Sequence, residues 1–208
     1  FCASYFKVTD MTDISYATTR NFPNPMSNDP QNVTATGNLG DMELYGFSWA
    51  HTTDWFTYFL SMGWNESDPN GQVSAYGFGG LLGNPGSSES GSAWYAGVQV
   101  PLQFIDASIG VEYNHGDEHW WSYTPAADDI SNKLATRGDV LEVYFNYNID
   151  RNFMLSAGYV SYDYDYAFSG WHIAPADLDY FELDNNPGMP YPFPDKVDDF
   201  YISANITF

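Results

Sequence analysis

Glu112 and Glu142 are the residues whose type and setting first suggest chemistry. Each lies in a run where polar and apolar side chains alternate, and each falls on the polar side. Gln99 and Tyr144 take the same side of their own runs. Alternation with period two belongs to a strand, whose successive side chains point to opposite faces. These four side chains are therefore expected to share one face of a sheet, with Lys7 joining them from the first strand. If the sheet closes into a narrow barrel, Glu112, Glu142 and Lys7 would form a buried charge network, which must be paired. If the barrel is wider, the same lumen-facing residues would line water and select cations.

Other reactive residues offer less. His115-Gly116-Asp117-Glu118-His119 has two imidazoles four apart with an intervening acid. That spacing makes a zinc site only on a helix, and here the segment leaves a strand for a loop. His115, Asp117 and His119 are also the only local candidates for a hydrolytic site. No nucleophile, base and orienter stand at a workable spacing, so no catalytic residue and no enzymatic activity are expected. The loop acids Asp177, Asp179, Glu182 and Asp184 are weak candidates for holding Ca²⁺ through oxygen ligands. No loop has the calcium-loop spacing with its central glycine, and a run of acids is more often simply solvated; no other cofactor is expected. The one cysteine, Cys2, excludes an internal disulfide framework and a cysteine-based zinc site.

The charge balance narrows the partners. Lys and Arg number 6 against 27 Asp and Glu, a formal net charge of −21. Nucleic acid needs a basic face and is excluded; divalent cations or cationic solutes suit the chain better. The 208 residues suffice for one domain. No apolar run approaches the roughly 20 residues of a membrane helix, but a membrane strand shows only alternation over about 10 residues. No signal peptide is present, and the sequence opens on strand-like Phe1-Cys2-Ala3-Ser4-Tyr5. It therefore reads as a processed form or a fragment.

The elements that must position these residues are strands, expected near 3–9, 41–51, 55–65, 93–102, 107–115, 139–148, 153–164 and 199–208. In 107–115, for example, Ala107, Ile109, Val111 and Tyr113 oppose Ser108, Gly110, Glu112 and Asn114. Residues 52–54, 103–106 and 149–152 read as tight turns. Residues 10–40, 66–92, 116–138 and 165–198 are long and rich in Gly, Pro, Asn, Asp and Ser. Long and short connections alternate strictly, as in an outer-membrane barrel with short periplasmic turns and long external loops. A soluble barrel or sandwich would also alternate, but with its apolar face inward. Here the polar faces hold Gly, Ser, Asn and a few Glu, while aromatic residues mark strand ends, as at a lipid interface. Tyr162-Asp163-Tyr164-Asp165-Tyr166 reads as such an end. The expected fold is all-β: a transmembrane antiparallel up-and-down β-barrel with about eight strands in this chain, a single domain over 1–208, both termini periplasmic.

The last strand ends on Phe208, with apolar residues at every second position back to Phe200. This resembles the C-terminal signature that the barrel assembly machinery reads in outer-membrane proteins. Further stretches carry a family likeness: Ala35-Thr36-Gly37-Asn38-Leu39-Gly40-Asp41-Met42-Glu43-Leu44-Tyr45-Gly46, Gly116-Asp117-Glu118-His119-Trp120-Trp121-Ser122, Asn132-Lys133-Leu134-Ala135 and Ser169-Gly170-Trp171-His172. Over about residues 35 to 208 the chain resembles the C-terminal part of DUF3373, a porin-like outer-membrane family of Gram-negative bacteria. The resemblance implies chains longer than this one, hence a larger barrel of which this is the C-terminal half. It brings no catalytic residues. The expected function is passive, cation-preferring diffusion of small solutes, with further strands from other subunits or from preceding chain. The alternative is a closed eight-stranded anchor whose acidic external loops bind partners or the cell surface. Outer-membrane lipid, lipopolysaccharide and the assembly machinery are the expected partners.

Overall fold

The computed structural model describes residues 1–11, 22–23, 30–31, 38–71, 81, 86–122, 132–166 and 195–207. Among these, eight strands form one sheet in which each strand pairs antiparallel with the next. They are β1 (Cys2–Val8), β2 (Gly40–Thr52), β3 (Thr57–Pro69), β4 (Glu89–Leu102), β5 (Ala107–Gly116), β6 (Gly138–Asp150), β7 (Phe153–Tyr164) and β8 (Lys196–Ile206). A separate two-residue ladder joins Phe22–Pro23 to Pro30–Gln31. The described residues contain no α-helix; Lys133–Ala135 forms a 3-10 turn. The chain order is a plain meander. Within the described residues β1 and β8 have one neighbour each, so the sheet is not closed.

Short connections set the register. Between β2 and β3 the Thr53 hydroxyl accepts from the amides of Trp55 and Phe56 at 3.2 and 3.1 Å. After β6, the Asp150 carboxylate accepts from the Asn152 amide at 2.7 Å. Both are local side-chain turns of the kind Thr and Asp favour. With the turns fixed, the pairing aligns Tyr58, Val98, Val111, Val143, Tyr159 and Phe200 in one row across six strands. The neighbouring row, on the opposite face, is Phe59, Gly97, Glu112, Glu142, Val160 and Asp199. A one-residue slip would exchange the two rows.

The two faces differ in what covers them. Residues 117–122 and 132–137 fold back over the second row's face, here called the covered face. Nothing among the described residues lies over the first row's face, the bare face. Its large side chains, such as Phe47, Met62, Val98, Ile109, Val143 and Phe145, are each 38–43% exposed. Aromatic pairs sit toward both strand ends: Trp49 meets Tyr58 edge-on near the turns at 5.1 Å, and Trp94 meets Tyr113 toward the loops at 5.0 Å.

β3 and β4 run past the ends that apolar alternation suggests, to Pro69 and back to Glu89. There the pairing continues through Glu66–Ser90 and Ser67–Glu89. Both faces are polar in this stretch, so the alternation carries no hydrophobic signal. Gly40 and Gly138 open β2 and β6 with φ of +130° and +128°. A Cβ at either would strike the carbonyl oxygen of Asp68 or Asp163, respectively, so glycine is required by conformation and by space.

The buried clusters lie at the loop end of the covered face. Val140, Val160, Tyr162 and Tyr164 pack together with Val197 and Tyr201. Met42, Leu81 and Trp121 pack with Val8 and Leu44. Tyr162 and Tyr164 are thus buried on the covered face, not at an outer interface as the sequence suggests; Asp163, between them, is on the bare face with Lys196 at 2.9 Å.

Candidate functional site

Glu112 and Glu142 are directly opposite each other on β5 and β6. Like charges in that position repel. The structure resolves this with the ammonium of Lys133, which lies 2.7 Å from Glu112 Oε2 and 2.5 Å from Glu142 Oε2. The Tyr95 hydroxyl donates to Glu112 Oε2 and accepts from Lys133 Nζ at 3.0 Å. The Tyr201 hydroxyl reaches from β8 to donate to Glu142 Oε1 at 2.7 Å. Lys133 Nζ also stands 4.8 Å from the Tyr95 ring centre, within cation–π range. The carboxylates are 13% and 12% exposed and Lys133 24%. Burial would lower the Lys133 pKa, but the hydrogen bonds to Glu112, Glu142 and Tyr95 outweigh it and hold the ammonium above its usual range.

Lys133 arrives from the connection between β5 and β6. Its 3-10 turn begins at Asn132, whose side chain accepts from the Leu134 amide at 3.2 Å. Asn114, buried on β5, donates to the Lys133 carbonyl at 2.8 Å. Trp120 Nε1 donates to the Leu134 carbonyl at 2.7 Å. Asn65 on β3 holds the other part of the connection, donating to the His119 carbonyl at 3.0 Å and accepting from the Trp121 amide at 2.9 Å. The Trp120 ring lies over Gly63, where a Cβ would collide with it. Buried Arg137 donates to the Glu118 carbonyl at 3.1 Å and ties the two parts together. A hollow of about 620 Å³ remains beside Trp120 and Leu134, against Phe6, Leu44 and Gly63.

Of the other residues singled out in the sequence, Tyr144 joins the cluster and the rest do not. Gln99 is on the covered face nearer the turns, donating to Ser108 Oγ at 3.1 Å. Tyr144 lies on that face with its ring over Gly110 and its hydroxyl on Glu112, so it joins the cluster as the alternation predicts. Lys7 does not join the glutamates. The register Tyr5–Tyr45 and Lys7–Glu43 puts it on the bare face, bonded to Glu43 at 2.7 Å. The reason is packing: Val8 belongs to the buried cluster of Met42 and Trp121, so its neighbour Lys7 faces the other way.

His115 and His119 are on different sides. His115 pairs with Asp139 on the bare face at 2.8 Å, whereas His119 Nδ1 is 2.6 Å from Glu89 Oε2 beside the covering segment. Asp117 is structural, its Oδ2 accepting from both the amide and the hydroxyl of Ser92 at 2.7 Å. Among the described residues no three His, Cys, Asp or Glu converge as metal ligands. Asp177, Asp179, Glu182, Asp184 and Phe208 lie outside the described residues.

Lys133 is the residue of this cluster that alternation misses, because its loop has no period. A signal was available: two carboxylates opposite each other on one face require a cation, and the sequence offers only 6 Lys and Arg.

Comparison with the curated proteins and with the solved structures yields no match. One family model does match, from residue 2 to residue 208, and the stretch includes β1 as well as the motifs from residue 35 onward. The chain belongs to this family, DUF3373, a family of proteins of unknown function.

Proposed function

We propose that this chain forms wall of a porin-like outer-membrane β-barrel that passes small solutes by diffusion and prefers cations. The observation that carries the reading is the bare face. A contiguous apolar surface spanning eight strands is far larger than a water-exposed monomer leaves open. Its aliphatic middle, its aromatic pairs toward both ends and its ion pairs Lys7–Glu43 and Lys196–Asp163 at the loop end follow the order of lipid interior, interface and water.

In lipid every strand edge must be paired. The β1 and β8 edges are free of partners among the described residues, and Phe200 and Ile202 on β8 are 78% and 85% exposed. Comparable side chains flanked on both sides are near 40%. Both edges must therefore be covered in lipid, and on the channel reading the covering strands come from other subunits or from preceding chain, in a barrel wide enough to conduct. The net charge of −21 supplies the cation preference by concentrating cations at the entrance, an effect that salt weakens. On this reading lipid and lipopolysaccharide surround the bare face, and the assembly machinery reads the last strand.

A second reading, the closed eight-stranded anchor, draws on the Glu112–Lys133–Glu142 cluster and the Trp120 ring over Gly63, since a narrow barrel is filled by its own side chains. Reversal potentials of the purified protein in planar bilayers separate the two. The channel gives cation selectivity that declines as salt rises. Anion selectivity contradicts it, and absence of conductance leaves the anchor.

A further inference from the structure

The covering segment places one cation where two carboxylates would otherwise face the lumen. Glu112 and Glu142 share a register position, and each gives one oxygen to Lys133. They also meet tyrosine hydroxyls, Tyr95 and Tyr144 on Glu112 and Tyr201 on Glu142. Formally the trio carries two negative charges and one positive. The lysine is not a loose side chain finding a partner. Its backbone is fixed to β5 through Asn114, its turn is capped by Asn132, and the adjoining segment is fixed to β3 through Asn65. The cation is thus delivered by a built support.

We propose that Lys133 is the selectivity-determining residue of this face: a tethered cation that occupies Glu112 and Glu142 and keeps them from acting on passing ions. The transport consequence rests on the channel reading above; the masking of the carboxylates does not. Cation preference in the wild type then comes from acids elsewhere, and removing the lysine unmasks a second acidic station inside. The fixed support makes this a standing charge pairing, not a gate.

The test joins two measurements on the intact protein. In planar bilayers, Lys133→Gln is expected to raise the cation-to-anion permeability ratio at least about threefold at low salt, shrinking as salt rises. In detergent, a water-soluble carbodiimide should cross-link Lys133 to Glu112 or Glu142 in the wild type. In Lys133→Gln, with glycine ethyl ester as added nucleophile, both glutamates should become labelled by mass spectrometry. An unchanged permeability ratio in a conducting Lys133→Gln overturns the proposal. If the wild type does not conduct, the channel reading fails by itself and the labelling decides: glutamates left unlabelled without Lys133 overturn the masking. If Lys133→Gln does not fold, Glu112→Gln serves instead. It leaves Lys133 paired with Glu142 and removes only a masked carboxylate, so the cation preference should stay as in the wild type; a clear fall would show that Glu112 already acts on passing ions and overturns the proposal.

Discussion

Glu112 and Glu142 are direct cross-strand partners, and both accept a hydrogen bond from the same ammonium, that of Lys133. The contact ties a loop to two neighbouring strands and removes the repulsion between them. Charge pairing here therefore stabilises the β5–β6 register as well as the position of the covering segment.

Removing the cation alone should be costly. Lys133→Met leaves two facing carboxylates uncompensated and is expected to destabilise the fold by roughly 3 kcal/mol. Neutralising all three, with Glu112→Gln and Glu142→Gln added, should recover most of that loss. Denaturant midpoints of the single and triple variants check this. A triple variant as unstable as the single one would show that charge pairing is not the cause.

The same pair predicts a pH dependence. The Lys133 pKa is raised in the folded state from 10.5. Its stabilising contribution is therefore complete below 10.5 and is lost only as pH climbs through the higher folded value. The stability gap between wild type and Lys133→Met should hold from neutral pH to 10.5 and narrow above it. A gap that closes below that point contradicts the assignment.

Much of this arrangement was legible in the sequence, for a physical reason. Strand periodicity puts Glu112 and Glu142 on one face, and short turns such as 103–106 leave little freedom in register. Lys7 escaped because β1 has no continuous apolar stripe: Phe6 and Val8 face the covered side, Tyr5 the bare one. Lys133 escaped because no pattern in a long loop says where it folds back. Its position depends on Asn65, Asn114 and Trp120, which meet it only through tertiary structure.

The bare face offers a direct contrast. Val98 and Val111 are cross-strand partners there, while Gln99 next along β4 is on the covered face. Arginine at Val98 or Val111 should destabilise the protein in lipid by about 2–4 kcal/mol, and at Gln99 much less. Equal losses would contradict the assignment of faces.

Gly138 should resist substitution. Its φ of +128° and the Asp163 carbonyl beside it leave no room for a Cβ, so Gly138→Ala is expected to cost about 1–3 kcal/mol. At Gly86, where a Cβ meets nothing within 4 Å, alanine should change stability little. Thermal unfolding of both variants provides the comparison.

The central claim, that the bare face meets lipid, is most directly tested by spin labels. With Cys2 replaced by serine, single cysteines at Val98, Val111 and Val143 sample the bare face, and at Gln99 and Asn146 the covered one. In protein reconstituted into bilayers, the account predicts high oxygen and low nickel-chelate accessibility at the three valine positions, and a lower oxygen-to-nickel ratio at Gln99 and Asn146. Nickel accessibility at Val98, Val111 and Val143 equal to that of a water-exposed site would contradict it.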